Sequence, residues 1–221
     1  MNEWKFYDAL FECDQVDIRI KNQSAWAGHR QFAYDLVRFL KPKIIVELGT
    51  HWGASFFSFC QAIKDEGYEA QCYGVDTWQG DGHSGSYDST VYETIQRAVS
   101  QLYQKEAVPV RSLFDDALDR FADESIDLLH IDGFHSYEAV SHDYETWLPK
   151  VADNGIVLFH DISARYYGFG VYKLWEELKE RYPSAEFEHS SGLGILMPKG
   201  YDSRMETIVR NWDQLKPHYV S

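Results

Sequence analysis

Short apolar runs alternating with amphipathic segments predict an α/β fold, a doubly wound and mostly parallel sheet closed by an antiparallel C-terminal hairpin. Three observations carry that expectation. Apolar runs of strand length recur at residues 44–48, 72–75, 108–110, 126–131 and 156–159. Segments of helical period separate them, such as 56–64 and 137–150; in the latter Tyr137, Val140, Tyr144, Trp147 and Leu148 share one face. After a helical stretch at 171–181, residues 185–189 and 193–197 flank Ser190, Ser191 and Gly192, the pattern of a hairpin.

Right-handed crossovers between parallel strands cover both faces of the sheet with helices and leave ligands at the carboxyl ends of the strands. Helical patterns at 26–40 and 203–215 flank this core as packing helices. The 221 residues therefore read as one domain. Packing helices occupy 1–41, the core of the sheet 43–162, and a closing helix, hairpin and C-terminal helix 163–221. The longest irregular stretch, 78–89, is rich in glycine, aspartate and serine, as functional loops often are.

Composition narrows the function. Apolar residues make up 44% and no run approaches the roughly 18 needed to span a bilayer. The N-terminus has neither the basic start nor the apolar core of a signal peptide. Cys13, Cys60 and Cys72 lack metal or redox spacing and read as buried thiols of a cytoplasmic protein. A formal charge of −14 opposes a polyanion, so nucleic acid is excluded as a partner in favour of a small molecule. A homo-oligomer is compatible with this reading.

The first strand runs into V-E-L-G-T-H-W-G-A-S, residues 46–55, where glycines let a ligand approach the backbone before a helix begins. The spacing is G-x-x-x-G and not the dinucleotide fingerprint G-x-G-x-x-G. Glu47 would be unfavourable beside a pyrophosphate and suits a cationic methionine moiety, so the charge favours a sulfonium cofactor. Gly49, Thr50, Gly53 and Ser55 are the loop contacts expected. Asp76, at the tip of the second strand with Thr77 and Trp78, can accept both ribose hydroxyls or close a turn. Ser112 can face an adenine edge or cap the next helix.

The fourth and fifth strands end in H-I-D-G-F-H-S-Y and L-F-H-D-I. Asp132 and Asp161 sit at neighbouring strand ends, where one divalent cation, magnesium or manganese, can bridge them; each alone could cap a helix.

Together these motifs resemble the small-molecule O-methyltransferases related to macrocin O-methyltransferase and cephalosporin hydroxylase, the methyltransferase 24 type. The resemblance covers about residues 43–162 and rests on V-E-L-G-T-H-W-G-A-S, G-V-D-T-W-Q-G-D, H-I-D-G-F-H-S-Y-E-A-V and G-I-V-L-F-H-D-I. It implies a seven-stranded Rossmann-like fold with S-adenosylmethionine held by the 49–53 loop and Asp76; Glu47, Ser55, Thr77, Trp78, Ser112 and Asp132 are the further donor contacts expected. It also implies a metal on Asp132, His160 and Asp161, with His135 as general base. Position 160 departs from the family, whose metal-dependent members commonly carry a carboxylate there. The glycine-rich loop, with Asp81, His83 and Tyr87, looks like a lid over a saccharide or other small polar acceptor. Two rival readings remain: a hydroxylase with iron on His135, His160 and Asp132, and a non-catalytic module that keeps the cofactor fold.

Overall fold

The computed structural model describes residues 4–83 and 85–220; Ser84, inside the expected lid, lies outside them. Seven strands form one sheet: β1 (Ile44–Leu48), β2 (Gln71–Asp76), β3 (Ala107–Arg111), β4 (Ile126–Ile131), β5 (Val151–His160), β6 (Ser184–Phe187) and β7 (Leu193–Leu196). Their spatial order is β3-β2-β1-β4-β5-β7-β6. All pairings are parallel except those of β7, which runs antiparallel to β5 and β6. The chain works outward from β1 to β3, then returns to place β4 on the other side of β1. That reversal opens a crevice beyond the ends of β1 and β4.

Strand alternation sorts side chains between two apolar layers. Ile45 and Leu128 join a layer with Phe32, Phe56 and Phe59, whereas Val46, Leu48, Leu129 and Ile131 join a layer with Trp147 and Trp175. Helices α1 (Arg30–Leu40), α2 (Ala54–Glu66) and α3 (Ser89–Leu102) belong to the first layer, and α4 (Tyr137–Trp147) and α5 (Val171–Lys179) to the second. Side-chain caps start α3 and α4: Asp88 accepts from the Thr90 N–H and Ser136 from the Ala139 N–H. Each such cap stabilises by about 1 kcal/mol.

The observed elements differ from the sequence reading mainly at their ends. The helix expected at 26–40 opens with a 3-10 turn, Ala25–His29, before α1. The helix expected at 203–215 breaks at Asn211 into α6 (Ser203–Arg210) and Trp212–Leu215. β5 begins before its apolar run, because ladder bonds to β4 start at Val151 and require no apolar side chain. The three cysteines are buried and free, and among the described residues no helix is long and apolar enough to cross a membrane. Near the chain ends, the Trp4 indole donates to the Tyr219 hydroxyl at 3.0 Å, which in turn donates to Asp35.

Candidate active site

At the crevice, β1 turns sharply through Gly49, whose N–H donates to the Val75 carbonyl at 2.9 Å. Gly49 has φ +90°, and a Cβ there would lie 2.1 Å from the Asp132 carbonyl oxygen, so no other residue fits without moving β4. Gly53, at φ +86°, is the N-cap of α2. Asp76 fastens this loop: one carboxylate oxygen accepts from the N–H groups of Thr50 and His51, both at 2.9 Å, and the other from Trp78 at 2.7 Å. Between loop and strand ends lies a cavity of about 370 Å³.

Eight of the ten expected donor contacts line that cavity: Gly49, Thr50, Gly53, Ser55, Asp76, Thr77, Ser112 and Asp132. Glu47 and Trp78 are absent from its lining. Glu47 is fully buried, with its Oε2 2.8 Å from His130 Nδ1, because strand alternation turns it into the α1–α3 layer. Trp78 is buried against Tyr92 and donates to the His51 carbonyl, bracing the loop from behind. Ser112 does not cap the helix after β3; Leu113 holds that position.

Asp132 and Asp161 follow β4 and β5, where neighbouring strands in register bring their carboxylates together. Asp161 has left-handed backbone, φ +62°, a strained conformation of the kind that collects at functional sites. His135 Nε2 lies 3.0 Å from Asp161 and 3.9 Å from Asp132. Asp132, His135 and Asp161 each bring one ligand atom within 4.8 Å of the others. His160, expected as the third ligand, approaches from beneath. Its Nδ1 faces Asp161 at 3.0 Å and Asp132 at 3.3 Å, and its Nε2 donates to the Ser190 carbonyl at 3.0 Å.

Burial opposes charge on all four groups, and their mutual attraction outweighs it. The carboxylates push His135 up to about 9 and His160 up to about 10, while the imidazoles hold Asp132 well below the usual carboxylate range and lower Asp161. Two cations thus offset two anions. His135 caps no helix, since Ser136 holds the N-cap of α4. Phe169 stacks on its ring at 4.5 Å, and the Gly170 N–H donates to its carbonyl at 2.7 Å.

Described residues of the expected lid segment lie at this edge. The segment carries a two-residue ladder, Gly80–Asp81 against Gly85–Ser86. Asp81 and Tyr87 line the cavity, and Tyr87 stacks on His51 at 4.8 Å. His83 does not line it; the ring sits 4.1 Å from Phe134 and 4.9 Å from Phe169, and the Asp81 carboxylate accepts from the His83 backbone N–H. Sequence reading missed Gln23, Ser24, Ala25 and Trp52, which also line the cavity. Nothing in the local pattern before the first helix marks the first three. Trp52 lies inside the loop motif, where the sequence reading named only the glycines and hydroxyl residues.

Comparison with known proteins agrees with the fold. Residues 46–162 match the model of a family described as a methyltransferase domain. Protein y4gI of Sinorhizobium fredii is 46% identical over 173 residues, 78% of this chain. The match takes in only 19% of y4gI, so the chain spans about one-fifth of that relative's length. The O-methyltransferase TomG of Streptomyces achromogenes, involved in tomaymycin synthesis and solved with S-adenosylmethionine, superposes with a TM-score of 0.64. The two are 12% identical, with 87% of this chain and 92% of TomG covered. A methyltransferase from Geobacter sulfurreducens gives a TM-score of 0.61 at 15% identity, covering 85% and 91% of the two chains. The chain therefore belongs to the methyltransferase-domain family.

Proposed function

We propose that this chain transfers the methyl group of S-adenosylmethionine to a hydroxyl of a sugar, glycan or other small polar metabolite, assisted by magnesium or manganese. The observation that carries the reading is the convergence of Asp132, His135 and Asp161 at the rim of the glycine-loop cavity. The residues present fit both groups. The cavity has the size of a cofactor pocket, and its floor at Gly49 leaves no room for a side chain. The two carboxylates are oxygen donors of the kind that magnesium and manganese take, and the imidazole beside them is left for proton transfer.

S-adenosylmethionine supplies an electrophilic methyl group. A divalent cation on Asp132 and Asp161 would supply Lewis acidity to the acceptor hydroxyl and a positive charge that opposes protonation of His135. The protein's own part is positional. Asp76 keeps the loop shaped for the donor, and ordering two reactants in line removes several kcal/mol of barrier. His135 Nε2 takes the hydroxyl proton as the oxygen attacks the methyl carbon and the carbon–sulfur bond breaks to leave a neutral sulfide. Phe169 stacks on the ring and holds it in place for that transfer.

The test incubates the protein with methyl-tritiated S-adenosylmethionine and a panel of sugars, polyols and catechols, with manganese or with chelator. Label in a hydroxyl-bearing acceptor, lost on chelation, is the result expected. Transfer that persists fully in chelator removes the metal from the reading. Oxygen uptake with iron(II) and an oxo-acid, without methyl transfer, turns it to the hydroxylase alternative.

A further inference from the structure

We propose that Trp26, His130 and Glu47 form a hydrogen-bonded chain that positions the wall of the donor cavity, making the N-terminal segment a working part of the site. The inference rests on reading that cavity as the donor site. Glu47 and His130 are cross-strand partners on β1 and β4, share the face toward α1–α3, and have no solvent exposure. Trp26 is 1% exposed, and its indole nitrogen lies 3.0 Å from His130 Nε2.

The direction of both bonds follows from the groups themselves. An indole N–H only donates, so His130 Nε2 accepts. The imidazole proton then sits on Nδ1 and donates to Glu47 Oε2 at 2.8 Å. Each member therefore has one role, and losing any of them leaves a buried polar atom unpaired among apolar rings such as Phe59.

The three members stand beside three different parts of the cavity wall. Glu47 lies two residues before Gly49, and His130 two residues before Asp132. Trp26 directly follows Gln23, Ser24 and Ala25, all lining residues, and its backbone N–H donates to the Ser24 hydroxyl oxygen at 3.1 Å. The segment therefore cannot shift relative to the glycine loop without breaking the chain. These are positioning residues: none lines the cavity, and their effect passes through residues that do.

Trp26→Phe keeps an aromatic ring in the layer and removes the N–H. Calorimetry with S-adenosylmethionine is expected to give a dissociation constant raised about five- to tenfold. In turnover the loss should fall on the donor KM more than on kcat. With histidine-labelled protein, nitrogen-15 spectra of the wild type should show His130 protonated on Nδ1, with that proton protected from exchange and shifted upfield in Glu47→Gln. Donor affinity equal to wild type in a folded Trp26→Phe overturns the proposal. So does a wild-type His130 carrying its proton on Nε2, a result that needs no variant to fold. Failure of the wild type itself to bind S-adenosylmethionine would instead remove the donor reading on which the chain's role depends.

Discussion

Asp35 and Asp161 are both buried aspartates, yet they stand on opposite sides of the usual carboxylate range. In the N-terminal layer Asp35 accepts from the Tyr7 N–H and the Tyr219 hydroxyl, and burial pushes it up to about 7. At the strand ends, burial also opposes the charge of Asp161, but His160 and His135 lower it. The depth of the two is similar and the partners differ: a hydroxyl and an amide in one place, two imidazoles in the other. Burial sets the cost of a charge, and a cationic partner decides whether the charge survives. The site thus keeps two ionised carboxylates together, while the packing layer holds one that takes up a proton near neutrality.

The strongest way to break this contrast is to remove its cationic side. With an identified acceptor and manganese present, His135→Gln is expected to lower turnover by about 10²–10⁴-fold, with donor affinity little changed by calorimetry. Near-normal turnover would move the base to another residue, with His160 the next to test.

Asp161→Asn leaves both imidazoles with one ionised carboxylate between them. Urea unfolding in chelator at pH 7 should show about 3 kcal/mol less stability, the scale for breaking a buried ion pair. The sign with pH follows from the lowered folded pKa. This stabilisation is full above the ordinary carboxylate pKa and is lost as the pH falls through the folded value.

At the glycine loop, Asp76→Ala removes the acceptor of three backbone N–H groups. Donor binding should weaken by roughly 1.5–3 kcal/mol, checked by calorimetry. Unchanged affinity would show that the loop holds its shape without the carboxylate.

The smallest effect sharpens the other side of the contrast. Because the folded pKa of Asp35 is raised to about 7, its ionisation should erode stability as the pH rises from about 4 to 7, with little further change above. Asp35→Asn fixes the uncharged form and should flatten that decline by about 1.4 kcal/mol in urea melts at pH 6 and 8. Equal slopes in both proteins would mean that Asp35 ionises freely in the fold.

Much of this was legible because period and position are local. Apolar alternation announced β1, β2 and β4, and Asp132 and Asp161 could be placed together once their strands were taken as neighbours. The wall at residues 23–25 was not, since its closeness to Gly49 comes from a contact between Trp26 and His130, 104 positions apart. A signal for that contact did exist. Glu47 and His130 are polar residues at inward positions of two apolar strands, and such residues are buried only when paired. Glu47 was instead read for its charge toward a ligand. The two histidines were harder, because strand ends show which side chains meet but not which ring nitrogen faces which carboxylate.

The bond between Trp4 and Tyr219 carries a consequence for how this fold comes apart. It sets two residues 215 positions apart within one hydrogen bond, and the same Tyr219 hydroxyl donates to Asp35 in α1. Loosening either segment therefore takes a partner from the other, so the two are expected to open together, as one cooperative unit, before the glycine loop and the paired aspartates are exposed.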